Sequence, residues 1–240
     1  MTNLHTGMEP KRLRLTDIGG VIYLGVISAA IVLNLPQVMA LTKTHPLPMS
    51  FLKFALLATF GECVKTRISK GSWFPPQMLL RALIWGCFGM WISLSFPFID
   101  GGLRMLTSLH EWPSQPLSLW MSLWINFFSG YAFFMMLTHY WVDTMIVEGF
   151  LWPWHVIGRP EAKHWAKVVL LAITFFWMPV HVVTFMLPPV WRTLWAAYLS
   201  MAFGLILSFA AGRRTQPADC YTGGESSFLA VPSAVETVSE

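Results

Sequence analysis

Charge is what this chain has least of. Asp, Glu, Lys and Arg together make up 12% of its 240 residues, where a soluble domain carries about 25%. That shortage excludes a water-facing globule, because too little polar surface is left to cover one. Cysteine is scarce as well. Cys63, Cys87 and Cys220 form neither a CxxC pair nor a Cys/His ligand spacing, which excludes a disulfide framework and a zinc site. Two of them lie in apolar stretches, where a free thiol serves as a small core residue. Catalytic motifs are missing too: there is no HExxH, GxSxG, Walker loop or GxGxxG, so neither an enzyme nor a cofactor or metal is expected. The first apolar run begins near Ile18 without a small-residue cleavage pattern ahead of a soluble domain, so it reads as a first span and not as a removable signal.

What the chain has in abundance is apolar and aromatic surface. Hydrophobic residues make up 55%, with thirteen Trp and eighteen Phe, suited both to lipid tails and to the headgroup level. The expected class is all-α, a polytopic transmembrane bundle. Six apolar runs approach the length needed to cross about 30 Å of hydrocarbon: 18–41, 49–64, 78–98, 119–142, 165–187 and 193–211. The second is short, contains Lys53 and ends at Glu62, which leaves a re-entrant segment as its alternative. Loops are expected at 99–118 and 143–164. Residues 1–17 form a basic N-terminus, 18–211 the membrane domain, and 212–240 a polar tail expected to be disordered.

Basic residues give the orientation, since they are retained on the cytoplasmic side. Lys11, Arg12 and Arg14 precede the first run, and Lys65, Arg67, Lys70 and Arg81 follow the second. Arg159, Lys163 and Lys167 lie between the fourth and fifth, and Arg213 and Arg214 close the sixth. Twelve of the sixteen Lys and Arg thus fall on one side, against Lys43, Arg104 and Arg192 on the other. Six spans with both termini cytoplasmic satisfy that split, and it requires the second run to cross. The net charge of +4 is scattered beside apolar runs, which points to anionic headgroups rather than nucleic acid. The expected partner is the bilayer, with a homo-oligomer also open.

An ionisable group within hydrocarbon is costly and marks a candidate site. Lys53 and Glu62 are nine residues apart, on opposite helix faces, so they are not a pair; Glu62 is within helical reach of Lys65 or Arg67. Asn126, His139 and Asp143 fall in the fourth run. His139 and Asp143 share a face, either as a proton-responsive pair or as a polar pair at headgroup depth. Thr174, His181 and Thr184 flank Pro179, whose missing N–H frees the Phe175 carbonyl and kinks the helix. Such groups line water or act as interhelical glue. His155, in Trp152-Pro-Trp-His155, reads as part of an aromatic interfacial anchor.

The stretch from Phe175 to Arg192 (FFWMPVHVVTFMLPPVWR) resembles the signature of the small membrane-protein family of peroxisomes and the inner mitochondrial membrane named after the twenty-two-kilodalton peroxisomal membrane protein. In that family Trp-Pro is followed by Gln, Asn-Phe, Pro and Arg. Here Trp177 opens the motif, His181 stands at the Gln, Thr184 and Phe185 at Asn-Phe, and Pro189 at the Pro. Pro179 is displaced by one residue and Arg192 comes one early. Gly61-Glu62 stands for the family's Gly-Asp, and Arg81 with Gly86 and Gly89 for its Arg-then-Gly segment, while its later His and Trp-Tyr are missing. The likeness covers about 47–212 with gaps. It implies a compact helical bundle and, for some members, a non-selective or weakly selective channel activity. As a distant relative the chain is expected in a bacterial inner membrane, or in an organellar one if the source is eukaryotic.

Three functions compete. One is a pore or transport protein, of unidentified solute, lined by Lys53, Asn126, His139, His181 and Thr184. Another is a non-catalytic structural or adaptor protein. The third is a membrane-embedded enzyme acting on lipid or quinone through His139, Asp143 and His155.

Overall fold

The computed structural model describes residues 14–109 and 116–212, with the side chains of 109 and 205–212 outside the description. The regular elements among the described residues are all helical. The expected disordered tail and most of the basic N-terminus lie outside the described residues.

Helix α1 (Leu15–Leu33) starts where the Asp17 carboxylate accepts the Arg14 N–H at 2.9 Å, occupying one of the donors that a helix start leaves open. It stops at Asn34, and α2 (Leu35–Thr44) begins anew with Pro36 in its first turn. The expected single span 18–41 is therefore broken. Pro36 has no N–H to donate and its ring clashes with the carbonyl four residues back. Helix α3 (Pro46–Lys70) is 25 residues long and closes on Gly71 at φ 77°. It reaches past the expected 49–64 at both ends, and at about 37 Å it is long enough to cross. Helix α4 (Met78–Leu109) runs 32 residues, so the first half of the expected loop 99–118 is helix. An i,i+4 pair between Asp100 and Arg104 at 2.7 Å supports that extension.

The expected span 119–142 is broken as well. Helix α5 (Leu117–Leu123) passes into a π-helical turn (Trp124–Phe128). Gly130, at φ 66°, then turns the chain into α6 (Tyr131–Glu148) with a bend of 48°. Most of the expected loop 143–164 is also helical: α6 runs on to Glu148, α7 (Pro153–Ile157) follows, and α8 (Pro160–Ala172) starts before the expected span. A second π-helical turn (Ile173–Trp177) joins α8 to α9 (Met178–Met186), and α10 (Pro189–Gly212) ends the description.

Among the described residues four helical stretches are long and apolar enough to cross a membrane, namely α1, α3, α4 and the joined rod of α8 and α9 (Pro160–Met186), with a fifth span if the bent pair around Gly130 counts as one. Leu33, Phe98 and Phe175 are 81%, 80% and 76% exposed and have many large apolar companions. Water would not tolerate that surface, and lipid tails would.

Helices α3, α4 and α10 pack most closely. A Cβ on Gly89 would stand 2.6 Å from the Ser50 carbonyl oxygen, one on Gly61 2.9 Å from Met201 Cα, and one on Gly204 3.3 Å from the Gly61 oxygen. Glycine lets these backbones touch, as at close crossings in membranes. The core at one end of this triad holds Phe54, Leu57, Ile99, Leu103, Met121 and Phe185, all buried. Helices α5 and α9 pair against it.

Candidate functional site

Both π-helical turns face the same place. In the first, the Ser129 N–H reaches back five residues to the Trp124 carbonyl at 2.9 Å, and the Ser129 hydroxyl donates to that oxygen at 2.8 Å. In the second, the Met178 N–H bonds the Ile173 carbonyl, the ladder loosening one residue before Pro179, which cannot donate. Single π turns of this kind occur often at functional sites. Here they bring Asn126 and His181 together. The Asn126 amide nitrogen lies 3.0 Å from His181 Nδ1 and its oxygen 3.2 Å away. The same amide nitrogen donates to the Ser122 carbonyl at 2.8 Å, and the Ser122 hydroxyl donates to the Met178 carbonyl. Asn126 and His181 are 3% and 8% exposed. The Trp177 indole stacks on the His181 ring at 5.3 Å and 25°, and Phe96 meets it edge-on at 6.2 Å.

From His181 a cavity of about 330 Å³ runs to the end of the bundle that carries Arg81 and Asp143. It exists because α6 meets α4 through rings and not through backbone. Trp85 lies 4.6 Å from the His139 ring, and Trp91 packs edge-on against Tyr131 and Phe134. The walls are chiefly Phe88, Phe96, Tyr131, Met135, Trp177 and Phe203, with Ala58, Ala132 and Ser200 between them. Beyond His181 the packed core of Phe54, Leu57, Met121 and Phe185 closes the far end.

The near end is ionic. One Arg81 nitrogen pairs with the Asp143 carboxylate and with Glu62 at 3.5 Å, while Nε donates to the Pro76 carbonyl at 3.0 Å. Lys65 reaches Glu62 at 3.4 Å. Two carboxylates and two cations thus occupy each other, with His139 beside them on the cavity wall.

The residues singled out in the sequence divide into three groups. Glu62, His139, Asp143 and His181 line the cavity, and Asn126 stands behind His181. Asp143 pairs with Arg81, and His139 stands near both on the same wall. Thr184 is fully buried and donates to its own helix at the Val180 carbonyl, 2.9 Å away. Lys53 is the correction: it is not on the cavity. Its ammonium is buried against Thr42 of α2 at 2.7 Å, so the expected shared interior with His181 is not formed. Arg67, an expected partner of Glu62, instead clasps Asp17 at 2.6 and 2.8 Å. His155 is exposed on α7 and does not join His139 and Asp143 on the wall.

The signature residues divide: Trp177 and His181 stand on the cavity wall, while Phe185, Pro189 and Arg192 gather at one corner. Pro189 opens α10, and Arg192 pairs with Asp100 at 2.8 Å, donates to the Leu187 and Phe185 carbonyls, and lies 5.3 Å over the Phe185 ring. Sequence reasoning misses the aromatic walls, Trp85, Phe88, Tyr131 and Phe203, because an aromatic in an apolar run carries no mark of which way it faces. No family profile, characterised protein or solved structure matches this chain.

Proposed function

We propose that this protein is an integral membrane protein of transport type, with six spans and both termini cytoplasmic, which admits a small molecule to an intramembrane cavity from its basic end. The observation that carries this reading is the cavity itself: aromatic walls, an ionic cluster at one end, and a packed apolar core beyond His181 at the other. That form suits a closed, single-sided state of a pore or carrier better than an open channel. The alternation of helix directions supports six spans. Asp17 of α1 meets Arg67 at the end of α3, Glu62 meets Arg81 at the start of α4, and Arg192 at the start of α10 meets Asp100 near the end of α4.

The test is accessibility. In a cysteine-free background in sealed vesicles, single cysteines at Ala132 and Ser200 should react with a membrane-impermeant maleimide from the cytoplasmic face only. A cysteine at Leu103, in the packed core, should not react. Equal silence at all three positions would remove the reading.

A second reading, a structural protein without a solute, draws on the Arg192 corner, where the signature residues Phe185, Pro189 and Arg192 serve packing. Distant kinship with the twenty-two-kilodalton family is likewise proposed on those residues. A structural role expects Ala132→Trp, which fills the cavity, to leave cellular function intact.

A further inference from the structure

We propose that the occupant of this cavity is an uncharged, flat ring bearing a carbonyl oxygen, a quinone-type molecule, with that oxygen accepting a hydrogen bond from His181 Nε2. The inference rests on the one-ended cavity being a binding site and names the chemical class that fits it.

Four observations converge. First, the His181 ring lines the cavity while Asn126, on its Nδ1 edge, does not. The opposite edge, with Nε2, is therefore the one turned to the cavity, and no partner for it exists among the described residues. With the Asn126 amide nitrogen already donating to the Ser122 carbonyl, we assign its second N–H to Nδ1, an assignment that places the ring proton on Nε2 as a donor. The Trp177 indole stacks on that ring and screens its face. A ligand entering here meets one unpaired donor, so it must bring an acceptor.

Second, the ions at the mouth are matched. Arg81 and Lys65 are engaged by Glu62 and Asp143. Binding a fatty acid or an anionic headgroup would mean breaking one of these pairs and leaving a carboxylate uncompensated, at several kcal/mol. A neutral ligand disturbs none of them. Third, about 330 Å³ lies near the lower end of small-molecule pockets, about 300–1,000 Å³. It admits a substituted ring and not a phospholipid. Fourth, Phe88, Phe96, Tyr131, Trp177 and Phe203 present aromatic faces and edges for offset or edge-on contact with a flat ring, and Met135 and Met136 adapt to its outline.

The experiment uses the full chain in phosphatidylcholine nanodiscs with a decyl-substituted dimethoxybenzoquinone as probe, measured by equilibrium dialysis. Saturable binding at one quinone per chain is expected. His181→Phe keeps ring volume and removes the donor, and should weaken binding about tenfold, at the upper end of one hydrogen bond. His181→Gln returns a donor and should recover most of the loss. Decylbenzene, which has the tail and ring but no carbonyl, should not compete, and a tail-less benzoquinone should compete in proportion to how far the ring alone is recognised.

Wild-type affinity in His181→Phe, or full competition by decylbenzene, overturns the quinone class. If Ala132→Trp abolishes binding while His181→Phe does not, the cavity reading survives and the carbonyl class falls. If Ala132→Trp leaves binding intact, the quinone sits elsewhere and this proposal falls, with the maleimide result deciding the cavity separately. Absence of wild-type binding also overturns the class. Should His181→Phe fail to fold, the decylbenzene arm and an azido-quinone cross-link, expected within the peptides holding Tyr131 and Trp177, decide in its place.

Discussion

Arg192 and Lys53 are both buried cations, and they are held in opposite ways. Arg192 has a carboxylate, two carbonyls and a ring around it, and it ties α4, α9 and α10 at one corner. Lys53 has one hydroxyl. Replacing Arg192 by Met should cost about 3 kcal/mol, the usual result of stripping one partner from a buried pair, read as a clear fall in the thermal midpoint in detergent. Lys53→Met should leave that midpoint unchanged or raise it, since a buried charge without a counter-ion costs more than an apolar side chain of the same length. A marked loss of stability in Lys53→Met would show a partner for the ammonium that the present geometry lacks. Asn126→Ala should cost about 1–2 kcal/mol by leaving His181 Nδ1 and the Ser122 carbonyl without their shared donor. Sequence marks Lys53 and Asn126 as unusual, because a polar group in an apolar run is conspicuous, and Arg192 through the family resemblance. It does not say which of them meet, because Asn126 and His181 are 55 residues apart and Lys53 takes its partner from α2, part of a run that reads as one continuous span.

Composition and run length make the helices legible but hide where they break. Pro36 and Gly130 both interrupt apolar stretches long enough to pass as single spans, and a window summed over twenty residues averages them away. The π turns are less visible still, since no residue pattern specifies them; only Pro179 hints at the second. Helix crossings leave a different trace. Gly61, Gly89 and Gly204 stand at close approaches, whereas Gly101 has nothing within 4 Å of an added Cβ. Gly89→Val should push α3 and α4 apart and lower stability by about 2 kcal/mol, within the range for overpacked cores. Gly101→Ala should be neutral or stabilising by up to about 1 kcal/mol, the helix-propensity gain. Parallel melting curves of the two variants check both, and equal effects would mean that the triad is not packed as described.

For the whole molecule, the division of basic residues makes the strongest forecast. Single cysteines at Ser69 and Gly158 should be labelled from the same face of sealed vesicles, and one at Ser108 from the other. Labelling of Ser69 and Gly158 from opposite faces would remove one crossing between them and redraw the topology. The class of the molecule is evident from its shortage of charge. The cavity is not, because it arises where two groups of helices stand apart, and spacing between elements is written in no local pattern.

Helix α4 carries a further consequence through its length. Its 32 residues span about 48 Å, roughly 18 Å more than an average hydrocarbon slab. The surplus must be absorbed by a lean of the rod or by projection beyond the lipid tails. A thinner or thicker host bilayer would then alter the lean of α4 and the leverage it exerts on the Asp100–Arg192 joint, so acyl-chain length becomes a control on how firmly that corner is shut.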